Sequence, residues 1–305
     1  MLGIGLLIQS LILASSLLLL ALSAKGLVTA SARVASRLGI NHFAIGFLLL
    51  SVLTSLPEML VAVFATSGGA VGLTLGDIFG SNVVNVAFVT GLALFIGRGS
   101  IKMPVRDLAG ILYFSSLIPI ILSVFEILSK LAGAILMIFF LIFSYLSVKK
   151  QDFTDREKAM PARLSDVAIL IIGAIGMILG ARFAVDSALS VANILTVVPL
   201  VIGAKIVALG TSFPELMVTL QAARKGYYSM ALGNSIGSNL TNMTLVLGIV
   251  LLLAPLEVDI GALRVATTFV LIATGTFWYF LSRGNLGRIQ GAILLAQYAL
   301  FLFIL

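Results

Sequence analysis

Cysteine is absent from the 305 residues, and histidine occurs once, as His42. Disulfides, thiolate metal centres, cysteine nucleophiles and histidine relays are therefore excluded together. Charge is scarce too: Asp, Glu, Lys and Arg make up only 10% of the chain. What remains is hydrocarbon, with 60% hydrophobic residues and a mean hydropathy of +1.20. Apolar runs of about 20 residues span a bilayer core, and the chain carries roughly ten of them. The pattern predicts an all-α polytopic membrane protein, since barrel strands would be shorter and would alternate. The first run lacks the basic start and cleavage site of a leader, so it reads as the first spanning helix.

The net charge of +7 does not indicate nucleic acid, because the basic residues sit in alternate loops as topology signals do. With the N-terminus outside, fourteen Lys and Arg fall at cytoplasmic ends, among them Arg98, Arg106, Lys149, Arg224 and Arg288. Only Lys130 and Arg264 fall outside. Both termini are expected to be extracellular, in a plasma or inner membrane.

The expected helices are 2–36, 40–67, 71–97, 106–126 and 128–148, then 166–194, 198–223, 228–254, 262–282 and 287–304. They divide the chain into a five-helix unit 1–148, a cytoplasmic linker 149–165 and a second five-helix unit 166–305. The linker is too short to build a core. Its Asp152, Asp155 and Glu157 read as solvated, and His42 as a loop or headgroup residue.

Thr54-Ser55-Leu56-Pro57-Glu58 returns as Thr211-Ser212-Phe213-Pro214-Glu215, at an offset of 215 − 58 = 157. The same offset carries Gly76-Asp77-Ile78-Phe79-Gly80-Ser81-Asn82-Val83-Val84-Asn85 onto the stretch from Gly233 to Asn242. Over 54–92 against 211–249 there are 15 identities in 39 ungapped positions. Five helices per unit reverse the second unit in the membrane, predicting an inverted-topology duplication with its site between broken helices near the midplane. Glycine and proline place the breaks in helices 2, 3, 7 and 8.

Proline frees the carbonyl four residues earlier, and in a bilayer such a carbonyl must find a partner or line a cavity. Here the freed acceptors stand beside hydroxyls and just before a carboxylate. Carbonyl, hydroxyl and carboxylate oxygens suit hard cations such as Ca2+ or Na+. Ser81 and Asn85 share a helix face, as do Ser238 and Asn242. Glycine pairs and proline kinks are most often packing devices, but buried acids are not. A carboxylate at the bilayer centre costs about 3 kcal/mol on insertion scales, and two at equivalent positions point to an ion site.

These stretches resemble the paired repeats of the sodium/calcium exchanger family, within the calcium:cation antiporter superfamily, and the resemblance covers nearly the whole chain. It implies an antiporter rather than an enzyme, working by alternating access as helices 1 and 6 slide against the other eight. It also implies Glu58 and Glu215 as central shared ligands, with Thr54, Ser55, Thr211, Ser212, Ser81, Ser238, Asn85 and Asn242 around them. The expected cargo is Ca2+ exchanged for Na+, with a Ca2+ (or other cation)/H+ antiporter as the alternative and a cation channel behind both. No cofactor is implied, and no partner beyond inorganic cations and lipid.

The sequence departs from the family pattern at several places. Asn242 stands where many members have Asp. Asp77 faces Asn234 across the repeat, and Leu53 faces Gly210. Lys205, six residues before Thr211, is expected to pair with Asp77, so both are candidate modulators. Arg182, which matches Lys25 at the same offset, is expected to pair with Asp186.

Overall fold

The computed structural model describes residues 2–36, 51–97, 129–149, 164–224, 226, 228–254, 260–284 and 286–305, with isolated positions 110, 113, 116 and 117. The expected fourth helix, the first half of the second, the linker and His42 lie wholly or mostly outside these residues.

The described residues are almost entirely helical. In chain order they form α1 (Leu2–Ser36), α2 (Ser51–Thr54), α3 (Leu56–Ser67), α4 (Val71–Val83), a π-helical turn Val84–Thr90, α5 (Gly91–Ile96) and α6 (Lys130–Lys149). Then come α7 (Leu164–Leu195), α8 (Pro199–Ile202), a π-helical turn Gly203–Val207, α9 (Ala208–Thr211) and α10 (Phe213–Arg224). The last are α11 (Tyr228–Leu240), a π-helical turn Thr241–Val246, α12 (Leu247–Leu253), α13 (Ile260–Ser282) and α14 (Arg288–Ile304). An α-helix satisfies its own backbone, which is the condition for standing in hydrocarbon. Among the described residues, five helices are long and apolar enough to cross a membrane, beginning at Ile4, Val71, Val167, Ala231 and Leu263. A sixth results if Pro199–Thr211 and Phe213–Arg224, bent by 44°, form one span.

Burial sorts the helices into two kinds. On α1 and α7 large apolar side chains point outward, including Leu7, Leu11, Leu18, Ile171, Ile172 and Ile175. Such surfaces are stable only against lipid. Among the described elements, those two helices make the most extensive contact, with each other. The segment 73–87 and its counterpart 231–244, by contrast, are buried nearly throughout.

Close backbone packing holds the inner helices. A Cβ on Gly80 would lie 2.6 Å from the Ala204 Cα, so α4 rests directly on the 203–208 turn. Contacts recur at or within one residue of the repeat offset. A Cβ on Gly291 would meet the Gly91 carbonyl at 2.6 Å, and one on Gly133 would meet the Gly248 carbonyl at 2.7 Å. Gly91 matches Gly248 at the offset of 157, and Gly133 matches Gly291 one residue out of step, at 158, so the two crossings are one contact made twice. The turns after α3 and α10 likewise use matched glycines, Gly69 at φ +76° and Gly226 at φ +83°. That left-handed conformation favours glycine.

A cavity of about 890 Å3 at the helix ends is lined by Ile96, Gly97, Arg224, Tyr228 and Arg288, among others. It puts the ends of α5 and α10 and the starts of α11 and α14 on one side of the molecule. None of Glu58, Asp77 and Glu215 is among its lining residues.

Candidate ion-binding site

The two Thr-Ser-x-Pro-Glu stretches meet in the interior. At Ser55 (φ −83°, ψ 5°) and Ser212 (φ −79°, ψ 7°) the backbone enters the sparsely allowed bridge region. Each serine is the single residue separating a four-residue helix from a twelve-residue one. Proline at the second position of the longer helix has no N–H to give; two residues on, Met59 N–H donates to the Ser55 carbonyl and Leu216 N–H to that of Ser212. The kink turns Ser55 and Glu58 inward, with Ser212 and Glu215 opposite.

All ten residues expected to supply ligands are fully buried: Thr54, Ser55, Glu58, Ser81, Asn85, Thr211, Ser212, Glu215, Ser238 and Asn242. The bonds that join them run between the halves. The Ser55 hydroxyl donates to Glu215 Oε1 at 3.2 Å, and the Ser212 hydroxyl donates to Glu58 Oε1 at 3.1 Å. The Thr54 hydroxyl lies 3.4 Å from Asn234 Oδ1 and 3.4 Å from Ser238 Oγ. Its match, Thr211, donates to Asp77 Oδ1 at 3.1 Å and lies 3.5 Å from Ser81 Oγ. Every one of these contacts has a counterpart 157 residues away.

Several buried oxygens have no partner. Glu58 Oε2, Glu215 Oε2 and Asp77 Oδ2 accept no hydrogen bond, and neither side-chain atom of Asn85 or Asn242 is engaged. Buried polar groups in folded proteins are nearly always bonded, so this concentration in one place needs a cause. Carboxylate and amide oxygens without donors are what a hard cation binds. Among the described residues, no three acidic or histidine side chains come close enough to hold one ion between them. The donor set is thus two carboxylates with hydroxyls and amides.

Sequence reasoning overlooked a supporting layer. Asn82 and Asn239 follow the two serines in the Gly-Ser-Asn motif and are fully buried. Asn82 bonds back to the Ile78 carbonyl at 2.7 Å, and Asn239 leaves both atoms unengaged. Their shared offset of 157 was the available signal. Asn234 donates to the Thr219 hydroxyl at 3.0 Å. In the first half the Asn85 carbonyl accepts from Thr90 at 2.9 Å and from Ser235 at 3.0 Å, two hydroxyls themselves 2.6 Å apart. Thr90 and Ser235 match Leu247 and Ile78, so no repeat rule could have found this bridge.

The expected Asp77–Lys205 pair is not formed. Asp77 Oδ1 is taken by Thr211, and Asp77 Oδ2 is unpartnered. The face of the 203–208 turn that meets α4 consists of Gly203, Ala204 and Ala208. Lys205, the next position round, is half-buried. Arg182 does meet Asp186, at 3.2 Å, with both side chains exposed, and its guanidinium lies 5.9 Å from the Phe64 ring centre. Lys25 is exposed on α1.

The chain resembles known proteins over nearly its whole length. The family model described as sodium/calcium exchanger protein matches residues 8–149 and 165–305. Sodium/calcium exchanger MaX1 of Methanosarcina acetivorans is 30% identical over 345 residues, covering 98% of each chain. Inner membrane protein YrbG of Escherichia coli is 31% identical, over 83% of this chain and 82% of its own. Among solved structures, the sodium-calcium exchanger NCX_Mj soaked with Na+ and Sr2+ superposes at a TM-score of 0.72 with 31% identity, covering 98% of this chain and 99% of that one. Members of this group are transporters, not enzymes. The chain belongs to the sodium/calcium exchanger family.

Proposed function

We propose that the protein is a secondary antiporter that moves Ca2+ across a membrane against Na+, with Glu58 and Glu215 as the shared ligands. The observation that carries this reading is the reciprocal bonding of Ser55 to Glu215 and Ser212 to Glu58, which leaves one oxygen of each acid unpartnered. Each half supplies a carboxylate and the hydroxyl that orients the other half's carboxylate. An ion seated between them neutralises both acids, whose charge is costly in hydrocarbon. Competing cations need the same oxygens, so one loads only after the other leaves. That competition is the physical basis of exchange.

In this reading the chain is ten helices in two inverted five-helix repeats, 1–148 and 166–305, joined by a cytoplasmic linker. Helices 2, 3, 7 and 8 are broken where the motifs lie, and both termini are extracellular in a cell membrane. The support is the matched contacts: hydroxyl to acid, glycine to glycine, and left-handed Gly69 to Gly226. Alternating access then requires α1 and α7 to move together against the rest. Their extensive mutual contact and lipid-facing exteriors suit a pair that slides as one body.

The related NCX_Mj was studied soaked with Na+, Sr2+ and Ca2+, which favours Na+ as the partner ion here. Proton coupling through the same two buried acids is the second reading. Asn242, an amide in place of a third acid at that position, keeps it open. Purified protein in liposomes separates the two under imposed gradients. Ca2+ flux driven by Na+ and indifferent to pH supports exchange against Na+; flux driven by pH alone overturns it. Glu58→Gln and Glu215→Gln should each abolish flux while leaving expression intact.

A further inference from the structure

The halves match at the glutamates but not at position 77. Asn234 satisfies both ends of its amide, with the Thr54 hydroxyl at Oδ1 and Thr219 at Nδ2. In the first half the residue matching Thr219 is Ala62, which offers no side-chain oxygen. An amide at 77 would have no such acceptor, and the chain has Asp there instead. Asp77 is fully buried, gives one oxygen to Thr211 and leaves the other unpartnered. Among the described residues no lysine or arginine is bonded to it, and its second oxygen has no partner.

We propose that Asp77 is a third cation-binding carboxylate, presented to a cation beside Thr211 and Ser81, which biases the site toward divalent ions. The inference rests on the antiporter reading and adds a ligand to its site. A buried carboxylate without a countercharge is strongly unfavourable; a proton or a cation relieves it, and the unpartnered Oδ2 leaves an oxygen for the cation. The Thr211 hydroxyl has two acceptors within reach, Asp77 Oδ1 at 3.1 Å and the Ala208 carbonyl at 3.3 Å, and with its proton on the nearer one its lone pairs are left for a cation. Ser81 Oγ lies 3.5 Å from Thr211 Oγ1. Asp77 therefore both orients the hydroxyl and supplies charge. Because the three acids do not converge on one point, Asp77 serves a position next to the one between Glu58 and Glu215. The Thr54–Ser238 side, whose amide is neutral and fully bonded, has no equivalent. Coulomb attraction scales with ion charge, so the added carboxylate acts on a divalent ion twice as strongly as on a monovalent one.

The test uses the full chain in detergent and in liposomes. Asp77→Asn removes the charge, and Asp77→Asn with Ala62→Thr also rebuilds the amide's acceptor, so that an unstable single variant does not block the experiment. The ion-free protein should melt higher in these variants than in wild type, because an uncompensated charge is gone. The Ca2+ concentration for half-maximal stabilisation and flux should rise at least about tenfold. A structural role would instead lower the ion-free melting temperature. Unchanged Ca2+ dependence in the double variant, with Glu58→Gln inactive, overturns the role of Asp77 alone. Full flux in Glu58→Gln overturns the antiporter site beneath it.

Discussion

At the scale of single residues the account turns on hydroxyl groups as much as on acids. Ser55 and Ser212 each hold one oxygen of the opposite glutamate. A hydrogen bond to a charged group contributes about 1.5–3 kcal/mol. Ser55→Ala or Ser212→Ala should therefore weaken Ca2+ binding by roughly tenfold to a hundredfold, and the two should have similar effects because their contacts match. Titrating Ca2+-dependent thermal stabilisation of each variant checks this. Strongly unequal losses would argue against a site shared evenly between the halves. The residue types of this site were legible in the sequence, since two Pro-Glu motifs at one offset can hardly be packing. Which serine serves which glutamate was not, because that choice is made only when the halves dock. Lys205 was misjudged for the same reason: its place in the chain is near Thr211, but the turn it sits on faces α4 with Gly203, Ala204 and Ala208.

At the scale of elements, glycine sets the spacing. Gly80 admits the 203–208 turn to within contact of the α4 backbone, and that turn leads directly into Thr211 and Ser212. Gly80→Val would force a Cβ to within 2.6 Å of the Ala204 Cα. Overpacking of this kind costs about 1–3 kcal/mol. The expected result is a lower melting temperature, with Ca2+ affinity falling as Thr211 and Asp77 separate. An unchanged melting temperature would show that α4 is not seated this way. The bounds of α1 and α13 followed closely from their apolar runs. The π-helical turns at 84–90, 203–207 and 241–246 did not, because an extra residue in a turn leaves no mark on hydrophobic periodicity. Two of them begin within a residue of Asn85 and Asn242, and π turns often occur at functional sites.

For the whole molecule, the question is whether α1 and α7 move against the buried helices. Leu17 of α1 rests on Gly210, where a Cβ would stand 2.8 Å from the Leu17 Cγ. The chain has no cysteine, so Leu17→Cys with Gly210→Cys introduces a single pair at disulfide-compatible separation. Oxidising that pair should stop flux, and reduction should restore it, with Ca2+ binding retained throughout. Undisturbed flux in the fully crosslinked protein would exclude sliding at this contact.

The central claim is that Glu58 and Glu215 together form the exchange site, and Ca2+ flux through purified protein in liposomes tests it most directly. With a Na+ gradient imposed, wild type should move Ca2+ against that gradient, while Glu58→Gln and Glu215→Gln, equally expressed and equally folded, should move none. Undiminished Na+-driven flux in both variants would contradict the account.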